Sequence, residues 1–319
     1  MKKTLFYITG MFLMASCQHD VIYEADYNVT LDKENTYYVG EPVKFNITGE
    51  VDNLLFYSGE TGHQYRYAQR YEVPLEEVKT ASLHFDIQAR YGLAGALEIY
   101  VSKDFKGLNG SDGEADRATI KEMVENEMPG WTKLEYKEGA STVWSAHDFT
   151  MNEYLDNLCI ALHWCPSRFD QTQRTYWING NISIEMDGVE PMMMNLVDMG
   201  LTSVMMNEEL TPYHKNSSDG SIRFDNSKTA QICLQGVGAN KLKYCLDGWV
   251  FTTPAPLNKV SNDKGIVIKN LQNYLHSYEY IWTEPGTYTV TFVGRNENYA
   301  ASSEEVIEYT VNIIDKPVE

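Results

Sequence analysis

The sequence predicts an all-β protein built from more than one sandwich. Three features carry that reading. Apolar and polar residues alternate in short runs from residue 27 to residue 315, the period of half-buried strands. Gly, Pro, Asn and Asp break those runs at short intervals, as turns do. Only one stretch, near residues 119–128, has the spacing of an amphipathic helix. A chain of 319 residues is long enough for two or three domains, each with its own core. No internal repeat at solenoid spacing is present.

Taken in order, the chain opens with Lys2 and Lys3 and an apolar run from Leu5 to Met14, too short to span a bilayer as a mature helix. Ala15, Ser16 and Cys17 follow. Small residues ahead of a Cys, straight after the apolar core, resemble a bacterial lipobox, with Met14 where Leu is usual. The resemblance implies a signal peptide over 1–16, lipid on Cys17 and a polar tether over 17–26. The alternative is an ordinary cleaved leader with a coincidental Cys. Strands are expected at 27–31, at 35–48 with a turn at Gly40 and Pro42, and at 54–57. Tyr65, Tyr67 and Tyr71 would line one face of an edge strand. Further strands fall at 81–89, 96–101, 131–136, 141–149, 158–165 and 175–186. Between them, 108–117 reads as a polar loop. A short helix follows it, with the capping-box pattern Thr119-Ile-Lys-Glu122 at its start and Pro129-Gly130 at its end. The Met-rich run 191–206 reads as packing between domains. The stretch 278–293, Tyr-Glu-Tyr-Ile-Trp-Thr-Glu-Pro-Gly-Thr-Tyr-Thr-Val-Thr-Phe-Val, reads as a hairpin about Pro285-Gly286, with Tyr278, Tyr280 and Trp282 on one face and Tyr288, Val290 and Phe292 on another.

Three resemblances refine this frame. Pro-Gly-Thr-Tyr-Thr-Val-Thr-Phe resembles the last hairpin of PKD-type, immunoglobulin-like domains. Cys-Ile-Ala-Leu-His-Trp and Tyr-Trp-Ile-Asn-Gly-Asn-Ile-Ser-Ile look like the last strands of a galactose-binding-like jelly roll. Val-Gly-Glu-Pro-Val-Lys-Phe-Asn-Ile-Thr-Gly-Glu and Phe-Tyr-Ser-Gly-Glu-Thr-Gly-His-Gln-Tyr resemble the DUF5017 type of Bacteroides-like surface lipoprotein, as do Asp247-Gly248-Trp249, Leu257 to Val260 and Asp263-Lys264-Gly265. Together they imply an all-β, multi-domain set of β-sandwiches. An immunoglobulin/PKD-like element would span 27–74, a jelly roll 75–190, a connector 191–206 and a second sandwich 207–315.

Composition bounds the function. Forty-five Asp and Glu stand against 26 Lys and Arg, a net charge of −19. Such a surface opposes nucleic acid and most anionic polysaccharides. No His-Glu-x-x-His, Gly-x-Ser-x-Gly, phosphate loop or Cys-x-x-Cys is present, so catalysis is not expected. Sugar capture needs an aromatic platform with amides at its edge. Trp131, Trp144 and Trp177 with Gln171, Gln173, Asn179 and Asn181 are the candidates, although each Trp taken singly reads as core before it reads as a site. Trp249 and Trp282 read as core. Asp104, Asp112, Glu114 and Asp116 offer oxygens for structural calcium, or form an ordinary solvated loop. Cys233 and Cys245 would face each other across a turn at 238–240 and form a disulfide, or stay as core thiols. Cys159 and Cys165, on one strand face with His163, lie about 20 Å apart when extended, which argues against a shared metal. No other cofactor is expected. The expected role is non-catalytic glycan binding at the bacterial outer membrane, beside a SusC/SusD-type importer as the lipoprotein resemblance implies. An adhesive lipoprotein with a cell-surface protein partner is the alternative, and a divergent carbohydrate-active enzyme a third.

Overall fold

A computed structural model describes residues 23–33, 36–167, 171–207, 220–225, 230–239, 246–299 and 301–317. The leader, Cys17 and Cys245 lie outside the described residues. No helix among those residues is long and apolar enough to cross a membrane. The chain divides into two compact units, one of residues 1–70 and 261–319, the other of residues 71–260.

In the first unit, β1 (Asp26–Leu31), β2 (Thr36–Tyr38), β3 (Pro42–Glu50) and β4 (Asn53–Tyr57) arise where the alternation demands them. Val43, Phe45 and Ile47 turn inward from β3 while their neighbours stay partly or fully exposed. Tyr65–Tyr67 is a 3-10 turn rather than an edge strand. There the Arg70 guanidinium lies over the Tyr67 ring, so the tyrosines share no strand face.

The second unit supplies β5 (Val78–Arg90), β6 (Leu97–Ser102), α1 (Gly113–Glu125), β7 (Trp131–Leu134), β8 (Trp144–Thr150), β9 (Cys159–Trp164) and β10 (Thr175–Met186). It continues with β11 (Met192–Asn195), β12 (Leu201–Met205), β13 (Ser221–Asp225), β14 (Gln231–Gln235) and β15 (Gly248–Thr252). The chain then returns to the first unit with β16 (Ile266–Lys269), β17 (Ser277–Ile281), β18 (Gly286–Glu297) and β19 (Ser302–Ile314).

The first unit is a sandwich of a three-stranded sheet, β1-β3-β17, and a five-stranded sheet, β16-β4-β18-β19-β2. The rings of Phe45, Phe56 and Phe292 meet at centroid distances of 5.1–5.8 Å between the two. Gly294 leaves room for the Tyr27 ring, whose hydroxyl donates to the Phe292 carbonyl. The expected hairpin about Pro285-Gly286 is overturned. β17 pairs with β3 and β18 with β4 and β19, so Pro285-Gly286 turns a corner from one sheet to the other. The faces hold, because Tyr278, Tyr280, Trp282, Tyr288, Val290 and Phe292 all reach one core.

The second unit is also a sandwich. A six-stranded sheet runs β13-β14-β10-β5-β8, with β11 beside β10, and faces a five-stranded sheet, β12-β15-β9-β6-β7. Leu83, Phe85, Ile87, Ile160, Leu162, Trp164, Ile178, Ile182 and Val250 fill the space between. The boundaries 27–74, 75–190 and 207–315 are therefore replaced: β1–β4 and β16–β19 make one sandwich, and β11–β15 complete the other. The Met-rich run is no connector. It forms β11, with Met192 and Met194 packed on the core and Met193 exposed. Helix α1 starts earlier than expected, because the Asp112 side chain accepts from the amides of Glu114 and Ala115. Thr119 lies inside it and donates to the Ala115 carbonyl. Ile120 and Met123 then cover Trp249, Phe251, Cys159 and Ala161 on the outer face of the five-stranded sheet.

Candidate functional site

The outer face of the six-stranded sheet is its solvent face, and its register sets the site. Trp144 pairs with Gln88, Gln88 with Trp177, Trp177 with Cys233 and Cys233 with Arg223, one row across five strands. The next row runs Ala146, Asp86, Asn179, Gln231. A third runs Asp148, His84, Asn181, Asn195. Side chains two apart on a strand share a face, so two tryptophans, five amides and several charges stand on one face, with Gln88 buried in it beneath its neighbours and donating to the Thr142 carbonyl. Two inter-strand steps separate Trp144 from Trp177, about 10 Å.

Trp144 is 42 % exposed and is the open platform. Trp177 is half-buried, with the Arg90 guanidinium 4.8 Å above its ring. Arg90 in turn donates to Gln88 Oε1 at 3.0 Å, and Gln231 donates to Asn179 Oδ1 at 3.1 Å. At the far end His84 Nδ1 lies 2.7 Å from Asp148, while Nε2 lies 3.4 Å from Asp86. The hydrogen bond with Asp148 raises the His84 pKa above the ordinary value.

Of the expected sugar-binding residues, Trp144, Trp177, Asn179 and Asn181 share this face. Trp131 does not. It sits on β7 in the opposite sheet, packed against Phe105 and Phe251 beneath α1. Gln171 lies in the segment before β10, lining a small cleft with Leu93 and Pro166, and Gln173 is buried. The sequence reading missed Gln88, Arg90 and Gln231. Their signal was alternation, but only register brings them beside Trp144 and Trp177.

The acidic quartet does not gather. Asp112 caps α1, and buried Asp116 accepts from the amides of Asn109 and Gly110 at 2.7 and 2.9 Å. Glu114 is exposed in the first helical turn and Asp104 lies beside Gly130. Two of the carboxylates are thus occupied by backbone donors rather than presented to an ion. Cys233 is a free thiol whose strand is paired on both edges, by β10 and β13. Its expected partner, Cys245, lies outside the described residues.

A second polar cluster stands on the outer face of the five-stranded sheet. His163 Nε2 lies 3.0 Å from Asp247 Oδ1, and Nδ1 lies 3.2 Å from Glu98 Oε2. Its ring stacks on Trp249 at 4.0 Å. Lys133 and the Tyr100 hydroxyl donate to Glu98 at 2.6 and 2.8 Å. Burial pulls the His163 pKa down, but hydrogen bonds to Asp247, Cys165 and Glu98 outweigh it and hold it at about 9. Burial likewise opposes ionisation of Glu98, yet its donors hold it at about 2.

Residues 16–143 match a known family, the domain of unknown function DUF5017. The expected family resemblance is borne out over that segment. The stretches at 247–265 and the last strands, also read as similar, lie outside it. No curated protein and no solved structure gives a significant match to the chain.

Proposed function

From a chain whose residues 16–143 fall in the DUF5017 family, we propose a non-catalytic, glycan-binding protein held at the outer-membrane surface by lipid on Cys17. The observation that carries the reading is the row Trp144–Gln88–Trp177 with Asn179, Asn181 and Gln231 beside it. Sugar C–H faces stack on indole rings, and amides bond the hydroxyls at their rim. Trp144 is the first platform, since Arg90 covers one side of Trp177. Arg90 then serves as a donor at the edge of the bound ring. The net charge of −19 favours a neutral glycan over an anionic one. A shallow sheet face gives weak affinity, which a membrane anchor offsets by concentrating substrate beside an importer of the SusC/SusD type.

Affinity electrophoresis against neutral plant, host and microbial polysaccharides tests this. One polysaccharide should retard the protein. Trp144→Ala and Trp177→Ala should each abolish that retardation while the variant still unfolds cooperatively. Equal retardation of the double variant would overturn the site, and retardation by none of the panel would overturn the glycan reading. Release of reducing ends during the assay would overturn the non-catalytic part.

A further inference from the structure

β9 and β15 run antiparallel, with Trp164 opposite Gly248 and His163 opposite Trp249. One step further along the ladder sets Cys165 opposite Asp247. Alternation turns His163, Cys165, Trp249 and Asp247 to the same outer face. One ligand atom from each of His163, Cys165 and Asp247 lies within 4.8 Å of the others. Among the described residues no other three His, Cys, Asp or Glu side chains converge in this way.

We propose that His163 Nε2, Cys165 Sγ and an Asp247 carboxylate oxygen bind a zinc-class metal ion. The donor set is the first reason. Imidazole, thiolate and carboxylate are the ligands zinc takes, whereas calcium requires oxygens throughout. Geometry is the second. Zinc at about 2.0–2.3 Å from each donor sets tetrahedral neighbours about 3.3–3.8 Å apart. The 3.0 Å gap between Nε2 and Oδ1 therefore opens by only a few tenths of an ångström. The outer partners are the third. Glu98 engages Nδ1, leaving Nε2 for the metal, and Lys133 and Tyr100 hold Glu98 in turn. The Trp249 ring fixes the plane of the imidazole. His163, Cys165 and Asp247 are each partly exposed, so an ion can enter. Three protein ligands leave the fourth position to water or to a ligand atom.

The competing reading is a His–Asp ion pair beside an idle thiol, and the two differ in what Cys165 does. The full chain, purified under reducing conditions and stripped of metal, is titrated with cobalt(II). The expected result is a thiolate-to-cobalt charge-transfer band that saturates at one ion per chain and is bleached by zinc. Zinc should also protect Cys165 from iodoacetamide, read by peptide mapping, while the slow alkylation of buried Cys233 is the same with and without zinc. Cys165→Ser should abolish the band. Glu98→Ala, which removes the partner of His163 Nδ1, should weaken binding by about 10–100-fold and leave the stoichiometry at one. Absence of the band in the unaltered chain would overturn the proposal, as would equal alkylation of Cys165 with zinc and with chelator. A disulfide at Cys165 in a sample purified without reductant would do the same.

Discussion

Replacing Glu138 with Ala should destabilise the second unit by about 3–5 kcal/mol, the cost of breaking a buried pair from one side. Glu138 stands between β7 and β8, its side chain 10 % exposed and that of Arg174 8 % exposed. Its Oε2 accepts from Arg174 Nε at 3.1 Å and Nη2 at 2.7 Å. Its Oε1 accepts from the Tyr176 hydroxyl and, at 2.8 Å, from the Gly95 amide. The change leaves the guanidinium with the Tyr91 carbonyl as its remaining acceptor and takes the acceptor from the hydroxyl of fully buried Tyr176, while the exposed Gly95 amide can turn to water. At about 2–4 °C per kcal/mol for a unit of this size, the melting midpoint should fall by roughly 6–20 °C. Urea unfolding followed by tryptophan fluorescence reads the free energy directly, and an unchanged slope would show that the unfolded state is unaltered. Glu138→Leu combined with Arg174→Met should recover most of the loss, because no charge is then left buried alone. A single-variant loss below about 1 kcal/mol is the value of a solvent-exposed pair and would refute the reasoning.

Two further changes probe other parts of the same unit. Asp116→Ala should cost about 1.5–3 kcal/mol for each of the two charged hydrogen bonds it loses to the loop amides, and calcium added back to chelator-treated protein should leave the melting curve unchanged, since that carboxylate is already bonded. A rise in the midpoint on adding calcium, not reproduced by zinc, would restore calcium to the loop. His84 should titrate above 6.5 by NMR and move down in Asp148→Asn. Its folded pKa is raised, so the stabilisation it contributes is complete below about 6.5 and disappears as pH rises through the folded value. A midpoint at or below 6.5 in the unaltered protein would contradict the contact.

The strands themselves were legible because alternation is a local property. Val43, Phe45 and Ile47, or Ile178, Ile182 and Ile184, announce a buried face by spacing alone. Pairing is not local. The stretch about Pro285-Gly286 displays two correct faces, yet a tight hairpin and a corner between facing sheets demand the same alternation on either side of the turn. The candidate site divides along the same line. Trp144 and Trp177 were visible as aromatics at strand ends, and Trp131 looked identical to them. Only the sheet to which each strand belongs separates the exposed pair from the residue under α1. His163 and Cys165 were seen together and set aside, because extension along β9 keeps Cys159 away from them. The missing partner, Asp247, is 82 residues beyond Cys165 and arrives through the register of β15.

The insertion of one unit into the other has a consequence that can be tested on its own. The second unit begins and ends on paired backbone: the Val260 amide donates to the Tyr71 carbonyl, and the Val73 amide to that of Asn258. Lys259 also reaches Glu72. Its termini are therefore neighbours, and a segment with adjacent ends and a complete core has no need of the chain that carries it. Residues 71–260 expressed alone should unfold cooperatively, with strand-rich circular dichroism and a midpoint close to that of the same unit in the full chain. The first unit makes the complementary case. Arg70 pairs with Asp263 at 3.4 Å, and the Asp263 amide donates to the Tyr67 carbonyl, so its two crossing segments also run side by side. Replacing 71–260 by a short Gly-Ser linker should leave it folded, because closing a short loop there costs less than the long one it replaces. The family match cuts through both units, ending at residue 143 ahead of β8. A fragment ending there lacks β8 to β15 in one unit and β16 to β19 in the other, and should not fold. A cooperative transition from residues 16–143 alone would mean that the discontinuous division is wrong.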